Sequence, residues 1–194
     1  MQDVLTVLAS TFLVGAYLCY IRTVAKGEIP HPVTITVWVV WVTLNAVTYK
    51  EVASSIAQTF TIVQQICMFA VGAMTVVVIV RRGWATTKRI TTFNRWDLVV
   101  GFAILGALAY KVVVADPKTS NAVAQLAVLL SFFPMAKMAF AKTQRMSAWP
   151  WSLGVAAYLC QFVVAFPDGL AALIYPIVGV IGHGTVWFGI RRWH

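Results

Sequence analysis

Seven stretches of the chain are apolar for long enough to cross a bilayer: 4–21, 33–49, 57–80, 98–114, 122–141, 150–166 and 169–190, numbered segments 1 to 7. A spanning helix needs about 20 such residues. The runs are continuous and do not alternate with period two, so the pattern predicts helices and not barrel strands. Turn and charge signals punctuate them at Lys26-Gly27-Glu28-Ile29-Pro30-His31-Pro32, Asp116-Pro117-Lys118 and Pro167-Asp168-Gly169. The expectation is an all-α membrane protein of seven transmembrane helices. Segment 1 opens with no Lys or Arg ahead of it and no small-residue cleavage site after it, so it reads as a retained helix.

Polar residues inside these runs are few, and their spacing is informative. In segment 2, Thr34, Trp38, Trp41, Asn45 and Thr48 recur at steps of four, three, four and three, which puts them on one helical stripe. Polar groups in a membrane helix face the bundle interior or a wet cavity. Two indoles and an amide on one wall suit a solute with a flat or sugar-like face. The same stripe would equally serve helix packing, with Asn45 bonding across helices. Segment 3 carries Thr61, Gln65, Met68, Gly72 and Thr75 at the same spacing, with Gln64 adjacent. Tyr158 and Gln161 share a face of segment 6 and are candidates to complete the lining. His183 of segment 7 lies among Gly179, Gly182 and Gly184; it is a candidate for a pH-sensitive gate, or a neutral hydrogen-bonded core histidine. Pro134 and Pro176 each remove a helical hydrogen bond and are candidate hinges. Lys111 and Lys137 are close enough to segment ends to snorkel.

Composition strengthens the membrane assignment. Of 194 residues, 60% are hydrophobic and 11% charged, against about 25% charged in a soluble domain. The net charge of +9 is distributed by loop. Arg22, Lys26, Arg81, Arg82, Lys88, Arg89, Arg95, Lys142, Arg145, Arg191 and Arg192 fall on one side of a seven-helix topology, and Lys50, Lys111 and Lys118 on the other. The positive-inside rule makes the first side cytoplasmic, with the N-terminus outside and the C-terminus inside a plasma (bacterial inner) membrane. The basic loop Arg81–Arg95 is then expected to meet anionic lipids; nucleic acid is not an expected partner. Trp84, Trp96, Trp149, Trp151, Trp187 and Trp193 gather on this side and read as an interfacial aromatic belt. Cys19, Cys67 and Cys160 sit within apolar runs and read as small core residues.

An internal repeat is visible. At an offset of 110, Gly72, Thr75, Val76, Arg81 and Arg82 coincide with Gly182, Thr185, Val186, Arg191 and Arg192. At an offset of 113, Trp38 and Val42 coincide with Trp151 and Val155. These matches suggest three helices, a linker helix and three more, in units 1–95, 96–118 and 119–194. An odd linker gives both bundles the same orientation, hence parallel repeats about an axis along the membrane normal.

This 3+1+3 plan resembles the SWEET and PQ-loop transporters. The stretch Trp38-Val39-Val40-Trp41-Val42-Thr43-Leu44-Asn45 is similar to the WxxWxxxN pattern of the nicotinamide riboside transporters, which share the architecture. No Pro-Gln dipeptide occurs, and segment 6 does not repeat the Trp-Trp-Asn pattern. The resemblance implies alternating access between two bundles around a central site.

Enzymatic motifs are missing. No Ser/His/Asp arrangement, HExxH or phosphate-binding glycine loop is present, and segment 7 has no lysine for retinal. The expectation is a facilitator, not an enzyme, with no cofactor. It would move a small polar or aromatic solute such as a sugar, nucleoside or vitamin-like compound. Its site would lie between segments 2, 3, 6 and 7, using Trp38, Trp41, Asn45, Gln65, Tyr158, Gln161 and His183. The rival readings are a PQ-loop-like receptor or sorting protein, and a structural membrane subunit. A monomer is competent in principle, and a homo-oligomer stays open.

Overall fold

A computed structural model describes residues 2–26, 28, 34, 35, 38–40, 42, 45, 49, 51–82, 95–113, 116–142 and 145–193. Helix 1 is Gln2–Ala25, helix 3 Ser55–Arg82, helix 4 Arg95–Val113, helix 5 Pro117–Ala141, helix 6 Trp149–Ala165 and helix 7 Leu170–Arg191. In segment 2 the described residues between 34 and 49 are helical. Among the described residues there is no strand. Helices 1, 3, 5, 6 and 7 are long and apolar enough to cross a membrane.

Local chemistry sets the helix ends. Helix 5 starts five residues before its apolar run because Asp116 caps it: the carboxylate accepts the Thr119 N–H at 2.8 Å, and Pro117 opens the first turn. The bonds from Thr119 hold the Asp116 carboxyl below the usual carboxylate range. The helix ends on Lys142 in the left-handed region, φ 50°. A 3-10 turn, Phe166–Asp168, and Gly169 at φ 85° turn the chain from helix 6 into helix 7. The hydroxyls of Thr6, Thr11, Thr59, Thr75 and Thr185 bond the carbonyl four residues back. Those bonds satisfy polar groups that an apolar surround would otherwise strand. Helices 5 and 7 run through Pro134 and Pro176, both buried.

Helix 1 packs against helices 3 and 6, helix 7 against helices 5 and 6, and helix 4 against helix 5. Segment 2 meets helix 5 through Trp38 and Ser131, and helix 3 where Val39 abuts Gly72. Polarity is distributed in the opposite sense to a soluble fold. Asn45, Gln64, Asn121, Gln125 and Gln161 are buried, while Ile66, Phe69, Val80, Phe102 and Leu105 are exposed. Such an arrangement is expected when the bilayer is the solvent.

The buried faces of the helices coincide at other offsets than the sequence identities do. Thr61, Gln64, Met68, Val71, Thr75 and Val78 of helix 3 match the buried Ala172, Tyr175, Gly179, Gly182, Val186 and Gly189 of helix 7, each 111 residues later. At the offset of 110 that aligns the identities, Thr75 is buried but Thr185 is exposed. One residue of slip turns a helix by about 100°, so shared residues do not imply a shared face. In segment 2, Thr34, Ile35, Trp38, Val42, Asn45 and Tyr49 match the buried Pro150, Trp151, Gly154, Tyr158, Gln161 and Ala165, each 116 residues later and not 113. At this offset Asn45 falls opposite Gln161, and both amides are buried.

Candidate functional site

A cavity of about 30 Å³ lies where helices 1, 3, 5, 6 and 7 meet segment 2. That is room for about one water and far below a solute. No charged side chain lines it among the described residues; its polar lining is Tyr17, Trp38, Gln64, Gln125, Tyr158, Tyr175 and His183. Gln64 joins helices 3, 6 and 7. Its Nε2 donates to the Tyr158 hydroxyl, and its Oε1 accepts from the Tyr175 hydroxyl.

His183 stands in an aromatic box. The Trp38 ring lies near-parallel to it, at 17° and 6.3 Å between centroids, with Phe132 at 5.0 Å, Tyr158 at 5.1 Å and Trp151 at 5.5 Å. Its Nδ1 is 2.9 Å from the Gly179 carbonyl. A carbonyl can only accept, so Nδ1 carries the proton and Nε2 of the neutral ring is an acceptor. Glycines make the box fit. A Cβ at Gly154 would collide with the His183 ring, one at Gly179 with Tyr158, and one at Gly182 with Phe132. A second cavity of about 20 Å³ adjoins the first, beside Tyr20, Pro150 and Trp151. Tyr17, Trp38 and His183 line both.

Polar bonds close the bundle on either side of the cavities. Towards the start of helix 6, Trp38 Nε1 donates to Ser131 Oγ at 2.8 Å, and Thr34 Oγ1 donates to the Ser131 carbonyl at 3.2 Å. Towards the other end, Gln125 Nε2 donates to Asn45 Oδ1 at 2.6 Å and to Asn121 Oδ1 at 3.2 Å. Asn121 Nδ2 donates to the Ala171 carbonyl at 2.8 Å. Gln161 Nε2 donates to the Ala57 carbonyl at 3.2 Å and lies 3.4 Å from the Tyr49 hydroxyl.

The structure therefore brings Trp38, Tyr158 and His183 together at the cavity. Asn45 and Gln161 lie towards one end, in the amide bonding. Gln65 is half-buried one position off the inward face of helix 3, and Gln64 occupies the position at the cavity. Trp41 and Thr48 lie outside the described residues, as does 83–94 of the basic loop. Trp151 is not part of a belt: it is buried against Tyr20 and Trp38, whereas Trp149 is 69% exposed. Two residues along a helix is about 200°, so only one of these indoles can face outward. Lys137 is exposed, as snorkelling requires. Helices 1 and 5 also enter the site, through Tyr17, Gln125 and Phe132. Gln125 lies four residues after Asn121, a polar i, i+4 pair that would have flagged this face of segment 5; Tyr17 and Phe132 carry no such signal.

Comparison of the chain with family models, curated proteins and solved structures returns no match.

Proposed function

We propose that the chain is a membrane transporter for a small neutral solute, working by alternating access, and that this conformation is closed at both ends. The observation that carries the reading is the central cavity: aromatic and amide side chains from both halves of the chain converge on it, with no charge in its described lining. Uncharged donors and acceptors beside ring faces suit a sugar, nucleoside or vitamin-like compound. The solute would enter by separation of the halves.

The packing supports a 3+1+3 plan of parallel bundles resembling the SWEET and PQ-loop proteins. Helix pair 1 and 3 has its counterpart in 5 and 7, and helix pair 6 and 7 in segment 2 with helix 3. Helix 1 on helix 6 corresponds to helix 5 on segment 2. The loop charges support an external N-terminus, with Arg81, Arg95, Arg191 and Arg192 directed to anionic inner-leaflet lipid. Pro134 and Pro176 serve as hinges in this reading.

A non-transporting structural subunit is the second reading. It is favoured by the tight seating of Trp38, whose indole N–H is already bonded within the protein. The deciding experiment is a binding screen of nucleosides, vitamins and sugars against the purified protein by intrinsic fluorescence, followed by uptake of any hit into proteoliposomes. Saturable uptake supports transport; no hit, with a folded protein, supports the structural subunit.

A further inference from the structure

Two acidic side chains tie the halves of the chain together, one at each end of the bundle and by the same chemistry. Glu28, between helix 1 and segment 2, accepts the Ser147 N–H, at 3.1 Å to Oε1 and 3.3 Å to Oε2. Ser147 lies two residues before helix 6. Asp168, between helices 6 and 7, accepts the Ser54 N–H at 2.9 Å through Oδ2. Ser54 immediately precedes helix 3. In each case an acid of one half takes the N–H just ahead of a helix of the other half. Helix 6 separates the two contacts: Ser147 precedes its start, and Asp168 closes the 3-10 turn after its end. Its 17 residues span about 25 Å.

The chemistry suits a reversible contact. A carboxylate bonded to a backbone N–H is roughly twice as strong as a neutral hydrogen bond. The start of a helix also favours the negative charge. Because the donor is a peptide group, no second charged side chain has to be stripped of water when the contact forms. When the Asp168 contact breaks, water can take both partners, Ser54 being exposed and Asp168 half-exposed; Glu28 and Ser147 are half-buried. The two cavities lie along the stretch of helix 6 between these contacts, lined there by Pro150, Trp151 and Tyr158.

We propose that Glu28–Ser147 and Asp168–Ser54 are the two latches of the transport cycle, and that each opens while the other stays closed. This rests on the transport reading above. Neither contact lies at the candidate site, so each latch is testable apart from solute binding.

The test uses the full chain in membrane vesicles, with Cys19, Cys67 and Cys160 replaced by Ala. Two reporter substitutions are made separately: Ala16→Cys, in the cavity near the Glu28 end, and Ala57→Cys, buried at the Asp168 end. Each is reacted with a membrane-impermeant maleimide from either side, with no solute present. In Glu28→Ala the Ala16→Cys reporter should react about tenfold faster or more, while the Ala57→Cys reporter stays protected. Asp168→Ala should do the reverse. Glu28→Gln and Asp168→Asn keep an acceptor oxygen and should restore most of the protection. The proposal is overturned if both reporters accelerate together, if neither accelerates, or if the amide variants behave like the alanines. Should an alanine variant fail to fold, the amide variants decide: the latch predicts a small, one-ended acceleration. One-ended acceleration with no solute bound in any screen would leave the latches standing and remove the transport reading. Solute uptake with unmoved reporters would do the opposite.

Discussion

The Trp38 and His183 rings lie near-parallel, 17° apart with centroids separated by 6.3 Å, and together with Tyr17 they line both the central cavity and its smaller neighbour. An indole of segment 2 and an imidazole of helix 7 thus meet beside both cavities.

The Trp38 contact can be measured. Trp38→Phe keeps an aromatic face but removes the N–H bonded to Ser131 Oγ. It should destabilise the protein by about 1–3 kcal/mol, because a buried hydroxyl loses its donor. Ser131→Ala should cost a similar amount, and the double variant less than the sum, since both remove one bond. Thermal unfolding in detergent reads all three. Strict additivity would show that the bond contributes nothing.

Amide pairing at the other end makes a different prediction. Gln125→Leu leaves Asn45 Oδ1 and Asn121 Oδ1 without the amide that joins them. The expected cost of losing this buried amide bonding is about 1–3 kcal/mol. Asn45→Leu should cost about as much and also weaken binding of any hit from the solute screen. Wild-type affinity in a folded Asn45→Leu protein would assign Asn45 to packing alone.

Glycines near the site should be intolerant, in contrast to those on helix 4. Gly154→Ala and Gly179→Ala drive a methyl into His183 and Tyr158 and should each cost about 1–3 kcal/mol. Gly101→Ala and Gly106→Ala meet nothing within 4 Å and should stabilise by up to about 1 kcal/mol through helix propensity. Thermal midpoints of the four variants check this; equal shifts would refute the packing account.

Glu28 gives stability a pH dependence with a definite sign. Burial pushes its carboxyl above the usual range, against the lowering effects of the Ser147 and Thr23 bonds and the Arg145 charge. The folded chain therefore keeps this proton to higher pH than the unfolded one. Its contribution is complete below the unfolded carboxylate value of about 4.3 and is lost as pH rises through the folded value. Across mildly acidic pH the parent should lose more stability with rising pH than Glu28→Gln, read by thermal unfolding in a pH series. Parallel curves would contradict the burial of this charge.

Topology is checked with Lys118→Cys and Lys142→Cys, both exposed positions at opposite ends of helix 5. They should label from opposite faces of the membrane, Lys142→Cys from the cytoplasm. Labelling from one face would overturn the seven-helix arrangement.

What the sequence determined by itself is the helical class, the extent of the long apolar helices and the identity of several inward residues. Apolar runs of bilayer length leave the backbone no other way to satisfy its hydrogen bonds, so helices follow from composition alone. Spacing likewise placed Trp38 and Asn45 on one inward stripe, because a 3.6-residue period is a local property. Which residues face each other is not local. Gln64 and Gln65 are equally polar, and only the packing of helix 3 against helices 6 and 7 sets Gln64 between two tyrosines. Trp149 and Trp151 look alike in the chain, and the rotation of helix 6 buries one and exposes the other. The repeat identities were legible but one residue out of phase with the buried faces of helices 3 and 7. Rotation about a helix axis is decided by neighbouring helices, and those contacts, with the amide bonds and the Glu28 and Asp168 contacts, join residues roughly 80 to 120 positions apart. No local pattern encodes such pairs; the tertiary structure alone decided them.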